Sequence, residues 1–532
     1  MCGFVASFNC SSRSYDFHSM LRSIEHRGPD SSKIVQVGDW KFGFNRLGIV
    51  GRNPVFDQPY TDDSVSYLIF NGEIYNYKEL AAKYLPGLVA RSDTQVLYKL
   101  LKLKSHRIIP ELDGIFAFVF VDVSTNLVIA ARDSFGVKPL YYYSDGRELL
   151  FSSELKPLRE SKSLSYRDTS LVEYLVFGSV SRGYTIYKSL FQLEASSTLF
   201  FAPQTGLRIE KYSSLPSCSK GSPLESGIQS QIPDIDFGLM YSGGIDSTIL
   251  LDICSQYPAL QHTFSISVSH PEMDETYWQE MGLQVIQPRS KHHQLTDDSS
   301  DFSLNSLSFY NTDLDLPISH PSFIGSLKIA NLAKSLGLKV LLCGEGADEV
   351  FHGYKWHLQK DLVNGEVSPF YLRQSDICLA LSIEPCEFFD INEFDHDRFF
   401  FDFYLPRWLL RADLTGMKHS IENRVPFLSR DIVTFASTLS PSDKTDGFTY
   451  SKIYLKEYLS SRFPSAFVHR QKKGFDYPLN TWSNGELFDV IMSSDKISSS
   501  FKEMATNRFS DDYRIPRACF VLASFLIWDE IN

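Results

Sequence analysis

FGLMYSGGIDSTILLDIC (237–254) and KVLLCGEGADE (339–349) each run a short apolar strand straight into a glycine turn, and the first continues as a helix. HTFSISV (262–268) reads as a further strand between them. In SLKIANLAKSLG the apolar Ile329, Leu332, Ala333 and Leu336 recur at i, i+3, i+4 and i+7, which predicts a helix closed by Gly337. Strands alternating with helices leave few folds open, because each helix carries the chain back to pair the next strand in parallel. The pattern predicts a parallel α/β sheet, with ligands bound beyond the carboxyl ends of its strands, where both glycine turns lie.

The first 200 residues read differently. SYLIFNGEIYNYKEL joins an apolar strand to a helix, with Asn71-Gly72 as the turn between them. FAFVFVDVSTNLVIAARD gives two strands about a Ser-Thr-Asn turn, and ELLFSSE gives another. Packed antiparallel β-layers with a few helices are expected. From Lys211 to Ile235 the composition shifts to Ser, Pro, Gly and Gln with little periodicity, which places a boundary there. The expected division is a first domain over 2–210, a linker over 211–235 and a second domain over 236–532, mostly helical after about residue 360.

Length and charge narrow the function. At 532 residues the chain exceeds what one hydrophobic core supports. A formal charge of -12 argues against an extended nucleic-acid surface, though not against a nucleotide pocket. ACFVLASFLIW (518–528) is about half of what a membrane span requires and reads as a buried helix. The eight cysteines show no close CxxC pair, so reduced thiols in a cytoplasmic protein are expected. Cys2 is preceded only by Met1, which argues against a lipoprotein leader.

YSGGIDST (241–248) follows a strand and opens a helix, so its N–H groups and the helix N-terminus suit an anion. Gly243 and Gly244 allow close approach of phosphate, and Ser242, Ser247 and Thr248 add hydroxyls. A carboxylate beside phosphates, here Asp246, usually implies a magnesium ion between them. No lysine follows the glycines, which excludes the loop of hydrolysing NTPases. A serine-glycine turn capping an ordinary helix would look the same. The second acidic turn favours the phosphate reading, with Asp348 completing a metal site and Glu345 facing substrate.

SGGIDS after a strand resembles the pyrophosphate loop of ATP pyrophosphatases. Taken with MCGFVASF, HRGPD, NGEIYN, RSDTQVL, ARDSFGVKPLYYY, FSSELKPL, GEGADEVFHGY, SIENRVPFL and RQKKGFDYPLNTW, it makes the chain similar to glutamine-dependent asparagine synthetases from end to end. The resemblance implies an α+β N-terminal-nucleophile glutaminase domain, an αββα sandwich, followed by an α/β ATP-pyrophosphatase-type synthetase domain with a helical C-terminal part. It implies ATP and Mg2+, glutamine as nitrogen donor, a carboxylic-acid acceptor with aspartate favoured, and a possible homodimer, with neither nucleic acid nor membrane as partner.

The resemblance also assigns residues. Loss of Met1 would leave Cys2 as an N-terminal nucleophile whose own amine is the base. Arg46 would pair with the glutamine α-carboxylate, and Glu73 and Asp93 would receive its α-ammonium. Asn71 and the Gly72 N–H would form the oxyanion hole. Ser242, Gly243, Gly244, Asp246, Ser247, Gly344, Glu345 and Gly346 would line the nucleotide, with Met240 and Ile266 near adenine. Asp246 and Asp348 would hold the metal. Glu345 and Lys472 would serve adenylate chemistry, Lys472 by neutralising charge.

Several residues depart from the family pattern. Phe44 stands for a histidine, Cys343 for a serine, His352 for a glycine, and Ala195-Ser196 for Pro-Gly. His320 replaces a common aspartate on the acceptor side. It either meets a carboxylate-rich or larger acceptor or satisfies a loop, and the loop is favoured. A sugar uronate or a biosynthetic intermediate is the rival acceptor. A non-catalytic scaffold or a glutaminase alone is the remote alternative, opposed by the presence of Cys2, Asp246 and Asp348.

Overall fold

The computed structural model describes residues 2–9, 15–162, 164–213, 222–354, 373–384, 400–447, 449–470, 477–479, 485–509 and 514–532. The chain forms two compact units. One joins Met1–Tyr166, Ser181–Ile235 and Gly416–Thr434; the other joins Arg167–Val180, Asp236–Thr415 and Phe435–Asn532.

The first unit holds two antiparallel sheets. One comprises β1 (Cys2–Phe8), β2 (Ser31–Val37), β3 (Trp40–Arg46), β7 (Tyr141–Ser144), β8 (Leu149–Ser152) and β9 (Phe191–Gln192), in the order β2-β3-β1-β8-β7-β9. The other comprises β4 (Ser66–Ile74), β5 (Gly114–Asp122), β6 (Leu127–Arg132), β10 (Ser197–Ala202) and β11 (Gly206–Lys211), in the order β11-β10-β6-β5-β4. Side chains alternate along a strand, so β5 serves two cores. Ala117, Val119 and Val121 face a core shared with Phe4, Trp40 and Phe42 of the first sheet. Phe116, Phe118 and Phe120 face a second core with Leu97 and Leu101 of α3 (Asp93–Lys104) and Leu80 of α2 (Tyr77–Tyr84). Helices α1 (Phe17–Arg22) and α4 (Leu155–Ser161) cover the far side of the first sheet. The result is the αββα sandwich.

Asn71 and Gly72 do not form the expected turn. They lie inside β4, paired with Ala117 and Phe116 of β5. The glycine answers a packing need instead. At φ +138° it sits so close to β5 that a Cβ would come 2.0 Å from the Ile115 carbonyl oxygen.

In the second unit β12 (Phe237–Met240), β13 (Leu260–Val268), β14 (Lys291–Asp297) and β15 (Val340–Leu342) run parallel in the order β14-β13-β12-β15. Helices Ile245–Cys254, Thr276–Ile286 and Ser322–Ser335 connect them. The α/β pattern is as the sequence predicts, with one addition: β14, KHHQLTD, is an edge strand without an apolar run. The C-terminal helix Arg514–Ile531 is buried from Ile515 to Trp528, and the indole N–H of Trp528 donates to the Leu314 carbonyl at 2.8 Å. No helix among the described residues is long and apolar enough to cross a membrane.

Candidate active site

Register assembles the first-unit pocket. Pairing of β1 with β3 sets Cys2 directly opposite Arg46. The end of β4 brings Asn71, Gly72 and Glu73, and the first turn of α3 brings Asp93. Cys2, Arg46, Gly72, Glu73 and Asp93 line one pocket, together with Gln58, Ser92 and Glu422. The Cys2 N–H donates to Asn71 Oδ1 at 3.0 Å, while Asn71 Nδ2 is buried and has no hydrogen-bond partner. Burial pushes the Cys2 thiol pKa up, partly offset by the Leu47 N–H and by Arg46. The Arg46 guanidinium is held by Asp57 and by the Gly51 carbonyl. Asp93 accepts the N–H groups of Thr94 at 2.7 Å and Ile74 at 3.3 Å, yet burial raises its pKa to about 6.

Glu73 is not left alone in that pocket. Its carboxylate is paired with the buried guanidinium of Arg424, which also donates through Nε to Glu422 Oε1 at 2.6 Å. Sequence reasoning singled out SIENRVPFL without giving it a task, since nothing local ties residue 424 to residue 73.

In the second unit the two glycine turns meet. Ser242 and Ser247 hydroxyls lie 3.1 Å apart in the turn after β12, and the helix Ile245–Cys254 starts with Gly244 as its cap. Asp246 and Asp348 converge on one ammonium group: Lys452 Nζ is 2.5 Å from Asp246 Oδ2 and 2.7 Å from Asp348 Oδ1. The approach is tight. A Cβ on Gly353 would fall 1.8 Å from Asp348 Oδ1 and 2.1 Å from Lys452 Cε. Arg470 supplies a second cation, donating to the Gly243 carbonyl at 3.0 Å while paired with Glu275 at 2.6 Å. Neither Lys452 nor Arg470 was expected from sequence; Arg470 opens the RQKKGF stretch, where Lys472 drew the attention. Lys472 lies outside the described residues. Met240 ends β12, and Ile266 is buried in β13, its carbonyl accepting from Gln279.

Glu345 pairs with Arg411, whose Nη1 donates to Ser322 Oγ at 2.5 Å. Arginine has only donors, so the serine oxygen accepts, and its own proton goes to His320 Nδ1 at 2.7 Å. Burial, with Arg407, Arg517 and Arg411 nearby, holds the His320 pKa well below the ordinary histidine value. The ring is neutral, and it stands edge-on to Trp408, which also carries the Arg411 guanidinium 4.5 Å from its face. His320 therefore closes a chain of contacts ending at Glu345. Phe44 and Cys343 are buried. Next to Asp348, burial raises the Glu349 pKa to about 8 while its carboxyl accepts from Tyr354 at 2.7 Å.

Residues 1–213 match the glutamine amidotransferase domain, and residues 229–379 and 394–511 match asparagine synthase. A Methanocaldococcus jannaschii protein, provisionally named glutamine-hydrolysing asparagine synthetase 2, is 30% identical over 399 residues, 67% of this chain and 76% of that protein. Glutamine-hydrolysing asparagine synthetase 1 of Bacillus subtilis is 24% identical over 100% of this chain and 97% of its own. The solved structure of an allosteric regulatory enzyme of purine biosynthesis is similar over 56% of this chain and 80% of that one, at 14% identity with a TM-score of 0.31. With its amidotransferase domain placed ahead of the synthase match, the chain belongs to the asparagine synthase family.

Proposed function

We propose that this protein moves the side-chain nitrogen of glutamine onto aspartate, activated as its adenylate while ATP gives AMP and pyrophosphate. One observation carries the reading: the Cys2 nitrogen is held 3.0 Å from Asn71 Oδ1 while Asn71 Nδ2 is buried and unsatisfied. Removal of Met1 turns that nitrogen into a free amine, which takes the thiol proton. The thiolate then attacks the glutamine amide carbon. Asn71 Nδ2 and the Gly72 N–H are the two donors for the oxyanion. The amine returns its proton to the departing ammonia, and water hydrolyses the thioester to glutamate. Arg46 would bind the α-carboxylate, and Glu73 and Asp93 the α-ammonium.

In the second unit the turn Ser242–Ser247 and Gly344–Gly346 would hold the phosphates, with Met240 and Ile266 beside adenine. Two carboxylates already converge on a cation at Lys452, and Asp246 keeps a buried Oδ1 without a partner, so this pair suits magnesium bound through one or two carboxylates and phosphate oxygens. Such an ion would supply charge neutralisation as pyrophosphate leaves. Glu345, fixed by Arg411, would orient ammonia at the activated carbonyl, and Lys472 would offset its developing charge. The buried cysteines at 2, 254, 343, 378 and 519, which form no disulfide among the described residues, fit a reduced, cytoplasmic enzyme, with a homodimer as one possible assembly.

The test supplies purified protein with ATP, magnesium, glutamine and a panel of acids. Aspartate should trigger pyrophosphate release and asparagine formation. An inert aspartate alongside a reactive uronate-bearing sugar would keep the amidotransfer and overturn the acceptor. Cys2→Ala should lose glutamine-dependent product while ammonia still supports it; loss of both in a folded variant would overturn the nucleophile assignment.

A further inference from the structure

The SIENRVPFL segment (420–428) lies in the synthase part of the sequence, yet it belongs to the first unit and reaches the Cys2 pocket. Glu422 lines that pocket alongside Cys2, Arg46, Glu73 and Asp93. Two residues on, the Arg424 side chain is 1% exposed. Its three nitrogens have three different acceptors: Nη2 meets Glu73 Oε2, Nε meets Glu422 Oε1 at 2.6 Å, and Nη1 meets the Gln231 carbonyl at 2.7 Å. The Tyr75 ring lies under the guanidinium at 5.6 Å.

Such a fork has one orientation, and it fixes Glu73 with it. A lysine would reach at most one or two of these acceptors as a point charge. The electrostatics point the same way. Three carboxylates, Glu73, Asp93 and Glu422, line the one pocket. Asp93 is pushed up to about 6 by burial first, with the Glu422 charge among the further contributions. Burial lowers the Arg424 pKa to about 9, still above neutrality, so it remains the cation that faces Glu73 and Glu422. Arg424 takes one oxygen of Glu73, and the carboxylate has a second for a ligand.

We propose that Arg424 is a positioning residue for glutamine, holding Glu73 where it meets the α-ammonium, and that Glu422 is a third carboxylate of the same ammonium subsite. The inference rests on reading the Cys2 pocket as the glutaminase site. It makes glutamine affinity depend on residues about 350 positions beyond the nearest strand of that site.

The experiment uses the full chain carrying Arg424→Lys or Glu422→Gln, with folding checked by circular dichroism and thermal melting. Two measurements are made: glutamine hydrolysis kinetics, and labelling of Cys2 followed by mass spectrometry. The labels are iodoacetamide, which has no α-ammonium, and a diazoketone analogue of glutamine, which has one. Each variant should raise the glutamine KM about tenfold with a much smaller change in kcat. Analogue labelling should slow by a similar factor while iodoacetamide labelling holds within about twofold. A KM unchanged in both variants, or equal slowing with both reagents, would overturn the proposal by leaving only a structural role. If Arg424→Lys does not fold, the isosteric Glu422→Gln decides alone. Glutamine hydrolysis that survives Cys2→Ala would instead sink the glaminase reading itself.

Discussion

Asp93 carries a conflict between burial and charge that can be read at the bench. With its pKa at about 6, it takes up a proton as the medium acidifies and would lose the charge that the proposed site offers to the glutamine ammonium. The glutamine KM should therefore rise between about pH 7 and about pH 5, and Asp93→Asn should flatten that rise. Stability runs in the opposite direction. A folded-state pKa raised above the unfolded value gives stability that is full at low pH and lost as pH climbs through about 6. Asp93→Asn should thus melt above the parent at about pH 8, with the gain gone near pH 4; a lower melting temperature across the whole range would contradict the burial argument. His320 differs, because its proton count does not change near neutrality. It acts by accepting from Ser322 and so steadying Arg411 against Glu345. His320→Ala should cut acceptor-dependent pyrophosphate release about tenfold and leave glutamate production alone; equal losses in both would remove the assignment.

Among elements, β4 shows what sequence could and could not reveal. Its apolar run was legible, but Asn71-Gly72 matched the local signature of a turn, whereas Gly72 is demanded by the Ile115 carbonyl of a strand distant in sequence. Gly72→Ala should cost about 2 kcal/mol or more, read as a lower urea midpoint of the first transition, because both φ and the carbonyl oppose a Cβ. An unshifted midpoint would mean β4 can retreat. β14 escaped notice because an edge strand with polar faces has no apolar period. Both glycine turns were visible, since strand, turn and acid are adjacent in the chain. Lys452 was not, because it reaches Asp246 and Asp348 only after folding. Lys452→Met should impair ATP-dependent pyrophosphate release by about tenfold or more through misplaced carboxylates, measured against intact glutamine hydrolysis.

At the scale of the whole molecule, the compositional shift over 211–235 is a local signal, and the first unit takes in that stretch as part of Ser181–Ile235. The crossings were not readable. Arg167–Val180 and Gly416–Thr434 join units remote from their sequence neighbours through packing alone, with no change in composition to mark them. A chain ending at Ile235 would lack Ser420, whose hydroxyl donates to the His26 carbonyl, and Arg430, which donates to the Glu111 and Leu112 carbonyls, as well as the Arg424 fork. It should melt well below the intact protein and bind glutamine poorly; full glutaminase activity in that fragment would show the later segment to be dispensable. The crossing also sets a timetable for synthesis. About 200 residues separate Ile235 from Thr434, which at roughly 5–20 residues per second is roughly 10–40 s of translation. Throughout that interval the sandwich would lack Glu422 and Arg424, so on the proposed reading of the Cys2 pocket the nascent chain should hydrolyse little glutamine until most of the synthase part has been made.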